Sequence, residues 1–347
     1  MFFYAILETN KQEKNMVTIK DIAKQAHLSS ATVSRVLKGD LTLSVSQETR
    51  DRIFNLAQEL GYTKHIKKQA PQQKGTIGIV QWYTESEELA DLYYYSIRAS
   101  IEHTASLLGY QIVRSFNDLT NPLLQEVDGI IAVGKFSSGQ IAELSSLSSK
   151  IIFVDSDTLT EGFSCVTTDF EHSVQTVIDH FHSQGLTDIG LLVGQEETTD
   201  GHQLPTDPRL TAFRDYLDTL GMLQEDYIYQ GKFSTQSGYE LMSQAIEDLG
   251  DKLPPAFFMA NDTLAVGALR ALQERQIAVP DRIQLITFND TAITRQVYPA
   301  LSSISVFTEE MGQEAMQLLD RIITSPTPHH PRKIKLGTQL VIRESSY

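Results

Sequence analysis

Hydrophobic positions along the chain change their period once, near residue 75. Before that point they recur at helical spacing in three short segments. Ile22, Ala23 and Ala26 share one face, Val33, Val36 and Leu37 a second, and Ile53, Leu56, Ala57 and Leu60 a third. Each segment has its own start or stop signal. Thr18-Ile-Lys-Asp21 has capping-box spacing, with Asp in place of the usual Glu or Gln. Ser29 and Ser46 stand where N-cap residues belong, and Gly61 where a C′ glycine does. The short turn His27-Leu28-Ser29 predicts a helix-turn-helix unit followed by a third helix. Beyond residue 75 the pattern is of short β-branched runs, at 76–80, 129–133, 151–154, 189–193, 256–260, 283–288 and 303–306. Amphipathic stretches alternate with most of them, at 97–108, 173–184, 238–249 and 264–276. Apolar strands alternating with helices predict an α/β body of parallel, doubly wound sheets. Its roughly 270 residues are too many for one open sheet, so two lobes are expected.

The segments divide the chain. Residues 1–15 form an extension, either an upstream start or a disordered segment. Residues 16–63 are the helix-turn-helix head. The polar, basic stretch 64–75, with Pro71 and no apolar face, is a linker or hinge. Residues 76–347 are the two-lobed α/β body.

Charge follows the same division. The 347 residues carry a net charge of −15, which taken whole argues against a nucleic-acid binder. Residues 17–74, however, hold ten Lys and Arg against five Asp and Glu, a net of +5. Residues 1–16 balance, so 75–347 carry a net of −20. A basic head on an acidic body is expected to approach a duplex by the head and linker alone. Composition excludes other classes. The single cysteine, Cys165, rules out a disulfide framework and a Cys-rich metal site, and reads as a small core residue. His329 and His330 lie in a Pro-rich loop with no third ligand nearby, so no metal is expected. No run approaches the ~18 apolar residues of a membrane span, and the N-terminus lacks a signal peptide's basic start and cleavage site. No membrane partner is expected, and the expected location is cytoplasmic.

Two sets of residues carry candidate chemistry. On the second helix, Ser30, Ala31, Thr32, Ser34, Arg35 and Lys38 lie away from the apolar face. In a major groove, Arg35 would pair bidentately with guanine O6 and N7, Ala31 would touch a thymine methyl, and Ser30 would donate or accept. Thr32, Ser34 and Lys38 suit phosphates, which position without specifying. In the body, open α/β sheets bind ligands beyond the carboxyl ends of their strands. Trp82, Tyr83, Lys135, Asp155, Asp157, Gln195, Asn261, Asp262, Asn289 and Asp290 follow the apolar runs. Carboxylates, amides and aromatic faces suit a neutral polyol better than a phosphate, and no Gly-rich phosphate loop is present. Asp262 reads equally as the N-cap of the next helix, Asp290 as a turn cap, and Arg209 as one half of a surface ion pair. Tyr93-Tyr94-Tyr95 reads evenly as cleft mouth or as packing. No catalytic constellation or cofactor motif is present, so the chain is read as a regulator rather than an enzyme. An exported sugar-binding protein, opposed by the basic head and the missing signal peptide, and a cytosolic sugar-processing enzyme, which turnover of a galactoside would support, are the competing readings.

Val17-Thr-Ile-Lys-Asp-Ile-Ala and Ala31-Thr-Val-Ser-Arg-Val-Leu, ending in Gly61-Tyr62, resemble the LacI/GalR family of bacterial repressors. Pro255-Ala-Phe-Phe-Met-Ala-Asn-Asp-Thr-Leu-Ala and Ile286-Thr-Phe-Asn-Asp-Thr extend the resemblance through the body. It implies a fold like that of periplasmic sugar-binding proteins, a homodimer on a pseudo-palindromic double-stranded operator, and a small sugar held between the lobes. Residues 76–347 would then be an effector-binding and dimerisation domain, with one lobe at about 76–170 plus 305–333 and the other at about 171–304 plus 334–347. By matched position it implies that Arg209 and Asn261 bond sugar hydroxyls and that Phe233 stacks on the ring. Asn289 stands where many members have Asp, and Asp157, with Asp155 as its rival, is the matched acid of another loop. Tyr83 and Asp290 complete the expected effector set. The linker departs from the family pattern: no leucine lies between Leu60 and Leu89, so a leucine wedge into the minor groove is not expected, and Ile66 is a weak substitute. Lys64, Lys67 and Lys68 remain candidates for phosphate contact. Stretches such as Tyr93-Tyr-Tyr-Ser-Ile-Arg98 and Phe233-Ser-Thr-Gln-Ser-Gly resemble galactose and galactoside operon repressors within the family, which implies galactose or a galactoside as effector.

Overall fold

The computed structural model describes residues 17–37, 45, 47–60, 62, 74–202 and 204–347. Lys38, Ser46, Gly61, the extension and nearly all of the linker, including Lys64, Ile66, Lys67, Lys68 and Pro71, lie outside the described residues. The chain forms two compact units, residues 1–72 and 73–347.

The first unit holds α1 (Ile19–Ala26), α2 (Ser30–Leu37) and α3 (Gln47–Glu59). The Asp21 carboxylate accepts the Thr18 amide at 2.7 Å, so Asp serves the capping role that the spacing predicts. His27 turns the chain in the left-handed region at φ 54°, and the Ser29 hydroxyl accepts the Thr32 amide at 3.0 Å to start α2. Ile22, Ala23, Ala26, Val33, Val36, Ile53 and Ala57 are buried together, and Tyr62 closes the same core. The three helical periods thus converge on one core.

The second unit contains two six-stranded sheets. The first has β1 (Gly75–Gln81), β2 (Tyr110–Phe116), β3 (Gly129–Val133), β4 (Ile151–Val154), β5 (Ser164–Thr168) and β11 (Lys333–Leu336), in the order β11-β5-β4-β3-β1-β2. The second has β6 (Ile189–Gly194), β7 (Ile228–Gly231), β8 (Ala256–Met259), β9 (Gln284–Asn289), β10 (Ser302–Val306) and β12 (Thr338–Val341), in the order β12-β10-β9-β8-β6-β7. Every pairing is parallel except β10 with β12. The intervening helices are α4 (Glu85–Ala90), α5 (Leu92–Leu108), α6 (Ser138–Leu147), α7 (Phe170–Ser183), α8 (Pro208–Thr219), α9 (Thr235–Leu249), α10 (Asp262–Glu274) and α11 (Thr308–Thr324).

All seven predicted strands are present. The strands the periodicity missed are β5 and the four sheet edges, β2, β7, β11 and β12. Edges are covered on fewer sides, so their burial is broken, as in the exposed–intermediate alternation of β11. β11 pairs with β5 from Lys333 to Leu336. Residues 334–336 therefore belong to the first lobe, Ser305 and Val306 pair within the second sheet, and Phe170 opens α7, which packs on α8 and β12 of the second lobe; these correct the expected crossings at 333–334, 304–305 and 170–171. Two lysines in four residues made β11 read as connector. No helix among the described residues is long and apolar enough to cross a membrane.

Candidate functional site

On α2, the fully buried Val33 and Val36 hold one face against the core. Ser30, Ala31 and Arg35 are exposed on the opposite side, and Thr32 and Ser34 are half-buried. A short helix anchored by two valines therefore presents a small polar face with one guanidinium.

In the body, residues at the carboxyl ends of the strands converge between the two lobes. Tyr83, Asp91, Tyr93, Tyr94, Lys135 and Asp155 face the gap from the first lobe. Phe170, Glu196, Arg209, Phe233, Asn261 and Asn289 face it from the second. They enclose an inner pocket of about 30 Å³, room for a water but not for a sugar ring. Lys135, Asp155, Phe170 and Glu196 also line a cavity of about 1040 Å³ that opens beside it. That volume suits a small organic ligand. Ser137 to Asp200, 2.6 Å, and Gln140 to Thr199, 2.6 Å, tie the lobes together at the cavity rim.

Arg209 is the centre of the second lobe's contribution. Its Nε and Nη2 donate to Asp207 at 2.8 and 2.6 Å, and its Nη1 to the Ala260 carbonyl at 2.5 Å. Phe233, Phe170 and Phe288 surround the guanidinium, with ring centroids at 4.9, 5.5 and 5.4 Å. This is a buried ion pair, not a surface one. Three of its five N–H groups are used, which leaves two for a ligand. Burial opposes ionisation of Asp207, but the Arg209 charge and bonds hold its pKa below the usual value. Phe233 can lie over the end of β6 because residue 194 is glycine: a Cβ there would stand 2.4 Å from the ring.

Asn261 combines two roles that the sequence posed as alternatives for its neighbour. It, and not Asp262, is the N-cap of α10. Its Oδ1 accepts from the Leu264 amide at 2.9 Å and from Thr263 Oγ1 at 3.0 Å, so its amide NH₂ is left to face the pocket. Asp262 instead binds Thr287 Oγ1 at 3.0 Å and the Thr291 amide and hydroxyl at 2.7 Å. Burial pushes its carboxyl up to about 7.

The expected effector set is gathered only in part. Tyr83, Arg209, Phe233, Asn261 and Asn289 meet in the inner pocket. Asp157 does not: it lies on the outer cavity and pairs with Lys333 at 2.5 Å. Its rival Asp155 takes the inner place, bonded to Tyr94 Oη at 2.7 Å, Tyr93 Oη at 3.3 Å and Lys135 Nζ at 2.9 Å. Asp290 lines neither cavity. Arg343, Arg295 and Thr294 hold its carboxylate at 2.7, 3.2 and 3.0 Å. Asn289 and Asp290 both have positive φ, 109° and 59°, an uncommon backbone for these residues. Asp290 therefore pins the strained turn that aims Asn289. Tyr93 and Tyr94 serve both packing and the cleft. Trp82 lines neither cavity. It is buried under Tyr83, stacked at 4.7 Å.

Sequence reasoning missed Asp91, Phe170, Glu196 and Asp207. Asp91, Phe170 and Asp207 sit at or just before helix starts rather than after apolar runs. Glu196 is one residue beyond the strand-end Gln195, and burial pushes its carboxyl up to about 7, from an ordinary 4.5, despite the nearby Lys135 and Arg209 charges. A raised folded-state pKa means that stability is lost as pH rises from about 4.5 toward 7. Glu196→Gln is accordingly expected to raise Tm clearly at pH 8 and much less at pH 5, measured by thermal denaturation against the parent.

Residues 18–65 match the family model for bacterial regulatory proteins of the lacI family, and residues 178–346 a periplasmic binding protein-like domain. A transcriptional regulator of Streptococcus thermophilus, the HTH-type GalR, is 49% identical over 95% of this chain and 100% of its own length. GalR of Lacticaseibacillus casei is 41% identical over the same shares. Among solved structures, a CelR–cellobiose complex superposes with a TM-score of 0.69 at 24% identity, covering 95% of this chain and 99% of that one. A lac repressor dimer bound to operator and an anti-inducer gives 0.67 at 23%, over the same shares. The relatives are transcriptional regulators along their whole length, and so the chain belongs to the lacI family of bacterial regulatory proteins, as a DNA-binding transcriptional regulator and not an enzyme.

Proposed function

We propose that the protein is a cytoplasmic, homodimeric repressor of galactose or galactoside utilisation genes, and that a sugar held between its lobes controls its grip on a pseudo-palindromic operator. The observation that carries the sugar reading is the inner wall of the cleft. Two free N–H groups of Arg209, the amide of Asn261, Asn289 and the Phe233 face offer paired hydrogen-bond donors beside an aromatic ring. Vicinal hydroxyls and the apolar face of a pyranose complement that set. Asp155 and Lys135 supply a polar wall opposite. The names of the bacterial GalR relatives support galactose as the effector class, and the dimeric lac repressor on its operator supports the assembly. In the head, Arg35, Ala31 and Ser30 would read bases while Thr32, Ser34 and Lys38 would hold phosphates.

Trp82 gives a direct test. It is the chain's only tryptophan, and Tyr83 stands between it and the inner pocket. Galactose or a galactoside is expected to change its fluorescence saturably, with glucose and ribose weaker at equal concentration. No saturable binding of any galactose-containing sugar, by fluorescence and by calorimetry, would remove the sugar reading.

A further inference from the structure

The charges lining the cleft have a consistent pattern. Three lysines line it, and each is already paired: Lys135 with Asp155 at 2.9 Å, Lys333 with Asp157 at 2.5 Å and Lys335 with Asp169 at 3.0 Å. Arg209 is paired twice with Asp207. Two further carboxylates, Asp91 and Glu196, line the inner pocket, and among the described residues neither lies within ion-pair distance of a cation. Among the described residues the Asp91 carboxylate accepts only the Tyr93 amide, at 3.1 Å, as the N-cap of α5. The inner pocket is therefore lined by three carboxylates, Asp91, Asp155 and Glu196, against two cations that are already paired, and Asp207, Glu161, Glu171 and Asp215 add acid along the outer cavity.

We propose that this cleft admits uncharged sugars and rejects acidic and phosphorylated ones, with Asp91 and Glu196 setting the selectivity. The inference rests on the sugar reading above. An anionic ligand would lose its hydration, find no unpaired cation, and face two carboxylates in a low-dielectric gap. A regulator built this way senses a sugar before phosphorylation. It answers to the transported or hydrolysed sugar itself and not to the product of a sugar kinase.

Calorimetric titration of the full-length protein at pH 8, with four ligands, tests this. Galactose and galactose 6-phosphate compare neutral with phosphorylated. Galacturonamide and galacturonate compare neutral with anionic at equal size. Each charged ligand is expected to bind at least about tenfold more weakly than its neutral counterpart. In Glu196→Gln and in Asp91→Asn, the latter retaining a capping oxygen, the galacturonate-to-galacturonamide ratio is expected to narrow by about threefold or more. Thermal denaturation establishes that each variant is folded. Charged ligands binding as tightly as neutral ones would overturn the proposal and leave the sugar reading standing. Ratios unchanged in both folded variants would overturn the assignment to Asp91 and Glu196. Failure of all four ligands to bind would overturn the proposal, and failure of galactosides as well would overturn the sugar reading with it.

Discussion

Arg35→Ala is expected to abolish specific operator binding while leaving sugar binding at its parental value. Arg35 is exposed on the polar face of α2, opposite the buried Val33 and Val36 that anchor that helix. Its loss removes a guanidinium without opening the core. A bidentate arginine–guanine pair supplies about 1–3 kcal/mol of discrimination. A dimer makes the contact twice, so about 2–6 kcal/mol is at stake, a loss of thirtyfold or more in specific affinity. Non-specific binding is held mainly by lysines and backbone contacts to phosphate and falls much less. Electrophoretic mobility shifts at fixed salt, on the operator and on a scrambled duplex, separate the two. Equal losses on both duplexes would make Arg35 a phosphate contact.

Asn261→Ala is expected to produce the reverse phenotype, a regulator that holds operator DNA but does not respond to sugar. Removing the amide deletes the donor that faces the pocket, and each lost hydrogen bond to a neutral ligand costs about 0.5–1.5 kcal/mol. Two such bonds would weaken sugar binding by about tenfold. The same change deletes the α10 cap, which costs about 1 kcal/mol of stability. Asn261→Ser separates these effects. Its hydroxyl retains the capping oxygen, so Tm should stay near the parental value while sugar affinity still falls. If Asn261→Ser binds sugar as the parent does, the cleft assignment fails.

The sequence disclosed the interior of the fold and the identity of the cleft, but not its wiring. Strands such as β3 and β8, buried on both faces, read as continuous apolar runs. β2, β7, β11 and β12 are edges, and β5 is interior but built from Ser164-Cys-Val-Thr-Thr, so apolar periodicity did not reveal them. Position after a strand end singled out Tyr83, Asp155, Asn261 and Asn289, all of which line the inner pocket. It could not choose between Asp155 and Asp157, because that depends on which carboxylate the Tyr93 and Tyr94 hydroxyls reach. Nor could it show that Asp290 is spent on Arg343, a residue 53 positions away that returns on the last segment of the chain. Contacts of that kind are tertiary facts with no local period. Asp91, Phe170 and Asp207 escaped for a related reason: they lie at or just before helix starts and enter the cleft only when the helices dock.

A sugar-controlled regulator requires the cleft to be coupled thermodynamically to the DNA-binding head. Galactose, or the galactoside that binds best, is titrated calorimetrically into the protein alone and into the protein saturated with operator duplex. Linkage requires the sugar affinity to change by the same factor by which the sugar changes operator affinity. A difference of about fivefold or more is expected between the two titrations, matched by the reciprocal mobility-shift experiment. Identical sugar affinity with and without operator would contradict it: the cleft would then bind a sugar without regulating the head.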